Sequence, residues 1–366
     1  MIFGSVVYIS TKTEKIFSTA FIFLYRKTSL SHKMNWSLVL LILVITLFLI
    51  IFSVLTARFY LRITCGICKS QRDLTGKVVL ITGGNTGIGK ELVRDLAKRN
   101  AKIILACRST ERGKEAVNDI MESTANNNIY VKKCDISSLQ SVRMFCEEIL
   151  DSEERLDVLV CFAGSGAPFG RHLTEDGIEL QFATNHLGHF LMVNLLLDLI
   201  KSTPNSRIVI TSSSGHLLGR LDLSNMVRFD KYINHPFLTY CDTKLANVMF
   251  MKELNERLIN TGVTVNALHP GTIYTNGIRY NKIWYIKALL VFISFLYNKS
   301  LEEGAQTLIY LSASEEVDGI SGHYFSDCKK AKYNPLVDDS NLRNELWKTS
   351  AQLCDSQLTK TILFNN

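Results

Sequence analysis

Two apolar patterns alternate along the chain from Lys77 onward. Runs rich in β-branched residues predict buried strands: one through Val78, Val79 and Ile81 that stops at Gly83, then Lys102–Ala106, Ile129–Lys133, Leu156–Phe162, Arg207–Thr211 and Thr264–Leu268. Between them the period lengthens. After Gly87, residues Leu92, Val93, Leu96 and Ala97 share one face, while Lys90, Glu91, Arg94 and Lys98 share the other. A long helix is expected over Glu179–Leu199. Another opens at Tyr240-Cys-Asp-Thr-Lys244 and runs through Leu245, Val248, Met249 and Leu254. Strand and helix in alternation predict an α/β class: one doubly wound parallel sheet of about seven strands with helices on both faces.

Ahead of this domain the pattern changes again. Ser37–Ala57 is 21 residues without a charge, long enough at ~1.5 Å per residue to cross a ~30 Å hydrocarbon core. Trp36 and Tyr60 stand at its ends, where amphipathic rings favour the membrane interface. The expected organisation is a tail over residues 1–36, a transmembrane helix over 37–57, a basic linker over 58–72 and a catalytic domain over 73–366. Positive charges tie across the span; with initiation at Met34, the start this reading favours, the basic side is the C-terminal one.

Of the 366 residues, 47% are apolar, and the net charge is +7. Residues 1–72 carry nine lysines or arginines against one acid, so the remainder sums to −1. The basic excess therefore flanks a membrane segment and argues against a nucleic-acid groove. Nine scattered cysteines suit a reducing compartment. Cys65-x-x-Cys68 has no second pair, and His186 with His189 has no evident third ligand, so no metal site is expected.

Chemistry concentrates at strand ends. Gly83-Gly-Asn-Thr-Gly-Ile-Gly-Lys90 turns a buried strand into a helix, and glycine there permits positive φ, close approach of a pyrophosphate and tight helix-to-strand packing. No carboxylate lies between Ala101 and Thr110, a position where an acid would bind a ribose 2′-hydroxyl; Arg108, with Lys90, favours a 2′-phosphate instead. Asp135, beyond the third strand, is placed to meet an adenine amino group. Tyr240 and Lys244 share one helix face, one turn apart.

A Tyr-x3-Lys pair after a serine-bearing strand, beyond Thr-Gly-x3-Gly-x-Gly, resembles the short-chain dehydrogenase/reductase family, with its Rossmann-type sheet, over nearly all of residues 73–330. The likeness is to its membrane-anchored, NADP(H)-dependent retinol dehydrogenases, through the glycine turn, Ala106-Cys-Arg108, Asn185-His-Leu-Gly-His-Phe190, His216-Leu-Leu-Gly-Arg220, Lys244-Leu-Ala-Asn247, Glu303-Gly-Ala-Gln-Thr307 and Phe325-Ser-Asp-Cys328. The resemblance implies a tetrad. Tyr240 is its acid or base, Lys244 the cation that favours the phenolate and grips the nicotinamide ribose, and Ser213, the second of the paired serines, the donor to the reacting oxygen. Asn185 holds a water linking Lys244 to solvent. For NADP(H) it implies Gly83, Asn85, Thr86, Gly87, Ile88, Gly89, Lys90, Arg108, Asp135, Ile136, Ala163, Gly164, Tyr240 and Lys244, with Pro270, Gly271, Thr272 and Thr275 at the nicotinamide end. One departure stands out: the family's Asn-Asn-Ala-Gly is here Cys161-Phe-Ala-Gly164, which removes amides expected to tie strands together and puts cofactor binding in question.

Substrate selection is expected in His216–Phe237 and Ile283–Asn298. The second includes Trp284, Tyr285 and Ala288–Tyr297, read equally as a buried helix or as a greasy lid. The leading expectation is an NADPH-dependent, reversible reductase of retinal at the endoplasmic reticulum membrane, its catalytic domain cytosolic. The alternatives are steroid or lipid-derived carbonyls, a weakly active membrane-bound cofactor-binding protein and a mitochondrial membrane. Oligomeric state is left open.

Overall fold

The computed structural model describes residues 36–166, 172–223, 236–271 and 299–355. Its contacts fall into two units, Met1–Tyr60 and Leu61–Asn366. The expected start at Met34 and the segment Ile283–Asn298 lie outside the described residues, as do Thr272 and Thr275.

In the first unit the apolar run forms most of helix α1, Trp36–Ile63. Its stretch Trp36–Tyr60, in which an 18-residue window reaches a mean hydropathy of 3.4, is the one helix among the described residues long and apolar enough to span a bilayer. Its two threonines close their hydroxyls back onto the helix, Thr46 to the Ile42 carbonyl at 2.8 Å and Thr56 to that of Phe52 at 2.9 Å, so neither presents an unpaired donor to an apolar surround.

The second unit is one sheet in the order β3-β2-β1-β4-β5-β6-β7-β8. Its strands are β1 Val78–Thr82, β2 Lys102–Cys107, β3 Ile129–Lys133, β4 Val158–Cys161, β5 Arg207–Thr211, β6 Thr264–His269, β7 Tyr324–Ser326 and β8 Lys329–Lys330. Every pairing is parallel except β7 with β8. The eighth strand, beyond the seven or so expected, is two residues long and follows a turn in which Asp327 (φ 53°) and Cys328 (φ 56°) are both left-handed; nothing so short carries a period. β1, β4 and β5 are buried along their whole lengths, as continuous apolar runs require.

Alternate strand residues face opposite layers. Val79, Ile81, Ile103 and Leu105 pack under α2 (Gly87–Lys98), α3 (Thr110–Thr124) and, further along the chain, the helix Leu301–Ala313; Leu80, Ile104, Leu159 and Ile208 pack on the other side, with α4 (Leu139–Ser152). The expected long helix over Glu179–Leu199 is broken. It divides into a short turn α5 (Leu180–Phe182), a π turn Ala183–Leu187, α6 (Gly188–Leu195) and α7 (Leu197–Ser202). Helix α8 spans Pro236–Arg257, so Tyr240 sits in its second turn and not at its start; Pro236 is pre-set for a first helical position. Helix α9 is Leu301–Ala313, begun by a capping box of Ser300 and Glu303, and α10 is Ser340–Cys354.

Candidate active site

The C-terminal ends of the strands open onto a cavity of about 560 Å³. Its floor is the glycine turn. Gly83 (φ 74°) and Gly87 (φ 56°) are left-handed, and a Cβ on Gly89 would lie 2.5 Å from the Gly83 carbonyl oxygen and 2.9 Å from the Phe162 ring. Only glycine lets α2 begin this close to the sheet. The Thr86 side chain makes no cap bond, so the amides that open α2 keep their donors and the positive end of the helix dipole for an anion. Asn85, Thr86, Gly87 and Ile88 line the cavity with Gly83, as do Arg108, Asp135, Ile136, Ala163 and Gly164. Gly89 lies behind them as a packing residue.

A second cluster lies at the ends of β5 and α8. The Ser213 hydroxyl is hydrogen-bonded to the Tyr240 phenol and also accepts the Gly215 amide at 3.2 Å. Ser212 is committed elsewhere, donating to the Lys244 carbonyl at 2.7 Å. Lys244 Nζ is 5.6 Å from the Tyr240 ring centre and donates to the Thr211 carbonyl at 3.4 Å. Burial of this ammonium pushes its pKa down to about 8, since desolvation penalises charge. The phenol moves the other way: burial raises its pKa, opposed by the Ser213 bond. The nearby cation does not bring the phenol down as expected, and the group is held protonated.

Residues 77–284 match the short chain dehydrogenase family profile. The chain belongs to the short-chain dehydrogenase/reductase family. It is an oxidoreductase of this family, whose fold binds a nicotinamide cofactor. It is 39% identical over 306 residues to mouse retinol dehydrogenase 11, covering 83% of this chain and 94% of that protein, and 42% identical over 295 residues to human retinol dehydrogenase 13, covering 80% and 88%. Among solved structures, an uncharacterized protein from Mycobacterium Paratuberculosis superposes with a TM-score of 0.62 at 30% identity, over 77% of this chain and 95% of that one. L-sorbose reductase from Gluconobacter frateurii, complexed with NADPH and L-sorbose, shares the fold with a TM-score of 0.56 at 21% identity, over 70% and 96%.

The residues of this short-chain dehydrogenase/reductase fit a dinucleotide, on the evidence of a cradle that any Cβ would fill. The cation positions differ from expectation at one place. Lys90 does not line the cavity; its ammonium pairs with Asp119 at 2.7 Å, beside Arg94. Arg112, which the sequence reading passed over, lines the cavity with Arg108 and Ser109, and neither arginine has an ion pair among the described residues. The signal for Arg112 was present: it follows Arg108 by four residues, and Ser109 caps α3 by accepting the Arg112 amide at 3.3 Å, which turns that first helical turn toward the cavity. Asp135 is partly engaged, its Oδ1 accepting the Ser137 amide at 3.0 Å and hydroxyl at 2.6 Å. Gly271 is left-handed at φ 95° and sits against the Lys299 stem, directly after Pro270.

Cys161 and Phe162 do not leave the sheet untied. Thr82 Oγ1 accepts the amides of Phe162 at 2.9 Å and Ala163 at 3.0 Å, joining the exit of β4 to the end of β1. Cys161 is buried, and the Phe162 ring packs beside Gly89 at the cavity wall. Asn185 is fully buried in the π turn. Its backbone carbonyl accepts Asn247 Nδ2 at 2.9 Å and faces His189 Nδ1 at 3.3 Å, while its side chain bonds Ser165 and Thr243. The two histidines point apart, His186 Nε2 to the Ser350 hydroxyl at 2.9 Å and His189 Nε2 to the Thr82 hydroxyl at 2.9 Å. Burial lowers both, to about 4 and about 3.

Proposed function

We propose that this enzyme is an NADPH-dependent reductase of lipophilic carbonyls, retinal foremost, and the reverse oxidant of the matching alcohols. The observation that carries the reading is a half-buried phenol, kept protonated and hydrogen-bonded to Ser213, one turn from the Lys244 ammonium. Bound NADPH would supply the hydride. Tyr240 then donates its proton to the carbonyl oxygen, Ser213 hydrogen-bonds that oxygen as charge develops on it, and Lys244 stabilises the phenolate left behind. A protonated phenol is the form that reduction needs, so burial readies Tyr240 to act as an acid.

Arg108 and Arg112, free of acid partners among the described residues, support NADPH over NADH, because a guanidinium pairs a 2′-phosphate that an uncharged ribose lacks. Similarity to retinol dehydrogenases supports a retinoid. Helix α1 supports a membrane anchor, and Arg58, Arg62, Lys69 and Arg72 after its apolar run support a cytosolic catalytic domain at the endoplasmic reticulum. The test is product analysis with the full-length protein in detergent: all-trans-retinal should yield retinol, with kcat/KM for NADPH at least about tenfold above that for NADH. Absence of retinol, or preference for NADH, would overturn the assignment.

A further inference from the structure

Helix α8 brings a third residue to the cluster. Tyr240, Lys244 and Asn247 follow at helical spacing, and Asn247 is 3% exposed. Its amide is fully used. Nδ2 donates to the Thr211 carbonyl at 3.0 Å and the Asn185 carbonyl at 2.9 Å, and Oδ1 faces His186 Nδ1 at 3.3 Å. The Thr211 carbonyl is also the acceptor of Lys244 Nζ. The Asn185 carbonyl belongs to the π turn, whose wider bonding pattern leaves room for side-chain donors.

We propose that Asn247 is a positioning residue for Lys244: its amide bridges the end of β5 to the π turn and so aims at the ammonium the carbonyl that holds it. The proposal rests on the reductase reading for the role of Lys244, and it explains two things at once. An apolar side chain would fill the same space without the cost of burying an amide, so retention of the amide calls for a polar task. The same amide also donates to the Asn185 carbonyl, which ties the end of β5 to the π turn.

Few ionisable groups face Lys244. Tyr240 lies on its own helix, His189 approaches from α6 and His186 stands behind Asn247. The end of β5 brings only Thr211, Ser212 and Ser213, and the loop after β4 brings Gly164 and Ser165.

The experiment measures NADPH dissociation constants against pH, by NADPH fluorescence, for the full-length protein and its Asn247→Leu and Asn247→Asp variants. Leucine releases the Thr211 carbonyl and weakens support for the charged lysine. The alkaline loss of binding should then move to lower pH, with affinity near pH 8 falling about tenfold, the worth of roughly one hydrogen bond to a charged group. Aspartate cannot donate to either carbonyl but adds a negative charge beside the ammonium, so its alkaline limb should move to higher pH. Opposite shifts support the proposal. Profiles that superpose on the unmodified protein in both variants would overturn it and leave Asn247 as packing alone. If the leucine variant does not fold, Asn247→Ala, which also lacks the donor and adds no bulk, takes its place, with the same downward shift expected. A failure of retinal turnover in the unmodified protein would sink the reductase reading, while the binding profiles would still judge Asn247.

Discussion

Arg112 and Lys90 show how a cation earns or loses a place in a site. Both lie within reach of the glycine turn by sequence, and only the structure separates them. Lys90 is drawn to Asp119 on α3, whose carboxyl is held near 2 by Lys90 and Arg94 together; that acid is 29 residues distant, so no local pattern could reveal the pairing. Among the described residues Arg112 has no such partner, and it lines the cavity. Replacing Arg112 by alanine should lower kcat/KM for NADPH about tenfold and leave that for NADH within about twofold, since only the 2′-phosphate is lost as a partner. Lys90→Ala should change neither by more than about twofold. Steady-state kinetics with both cofactors checks this, and a larger penalty for Lys90→Ala than for Arg112→Ala would reverse the assignment. Tyr240 and Lys244 were legible as a pair because they stand one helical turn apart, whereas Ser213, on another element, came only from the family resemblance. The roles of Thr82 and Asn247 were not, since each works through partners on other elements.

At the scale of elements, the strands were readable and the helix over Glu179–Leu199 was not. β5 coincides with its expected limits because a buried strand is an apolar run, whatever surrounds it; β3 does so too, although only its Ile129 is buried. The π turn at Ala183–Leu187 has no such signature; it is held by tertiary contacts, with donors to the Asn185 carbonyl coming from Asn247 and His189. It also fixes where α6 meets the end of β3. A Cβ on Gly188 would lie 2.0 Å from the Ile136 carbonyl oxygen and 2.8 Å from Ile136 Cγ1. Gly188→Ala should therefore destabilise the protein by roughly 2–3 kcal/mol, as overpacking does, and weaken NADPH binding by displacing Ile136 from the cavity wall. Thermal unfolding with an NADPH titration measures both. An alanine variant as stable as the parent would mean that the contact yields freely.

Across the whole molecule, residues after Tyr60 are less a free linker than their basic composition suggested. Within the second unit, Arg62 pairs with Glu303 at 2.5 Å, Ser70 donates to Glu315 at 2.5 Å, Arg72 reaches Asp318 at 2.8 Å and the Cys68 amide reaches Gln306 at 3.0 Å. A Cβ on Gly66 would collide with the Asp327 backbone at 2.0 Å. These partners stand some 240 residues away along the chain, so composition showed the charge but not where it would be spent. The exposed pairs are individually weak; their number along one short segment is what binds it to α9 and the turn that follows it. The α/β architecture itself was legible because it follows from patterning alone, whereas the chemistry depends on where a few side chains end. The most direct measurement is NADPH consumption with all-trans-retinal by the full-length protein and by its Tyr240→Phe variant. The account expects turnover in the first and a loss of about a hundredfold or more in the second, with NADPH still bound; equal rates in the two proteins would contradict it.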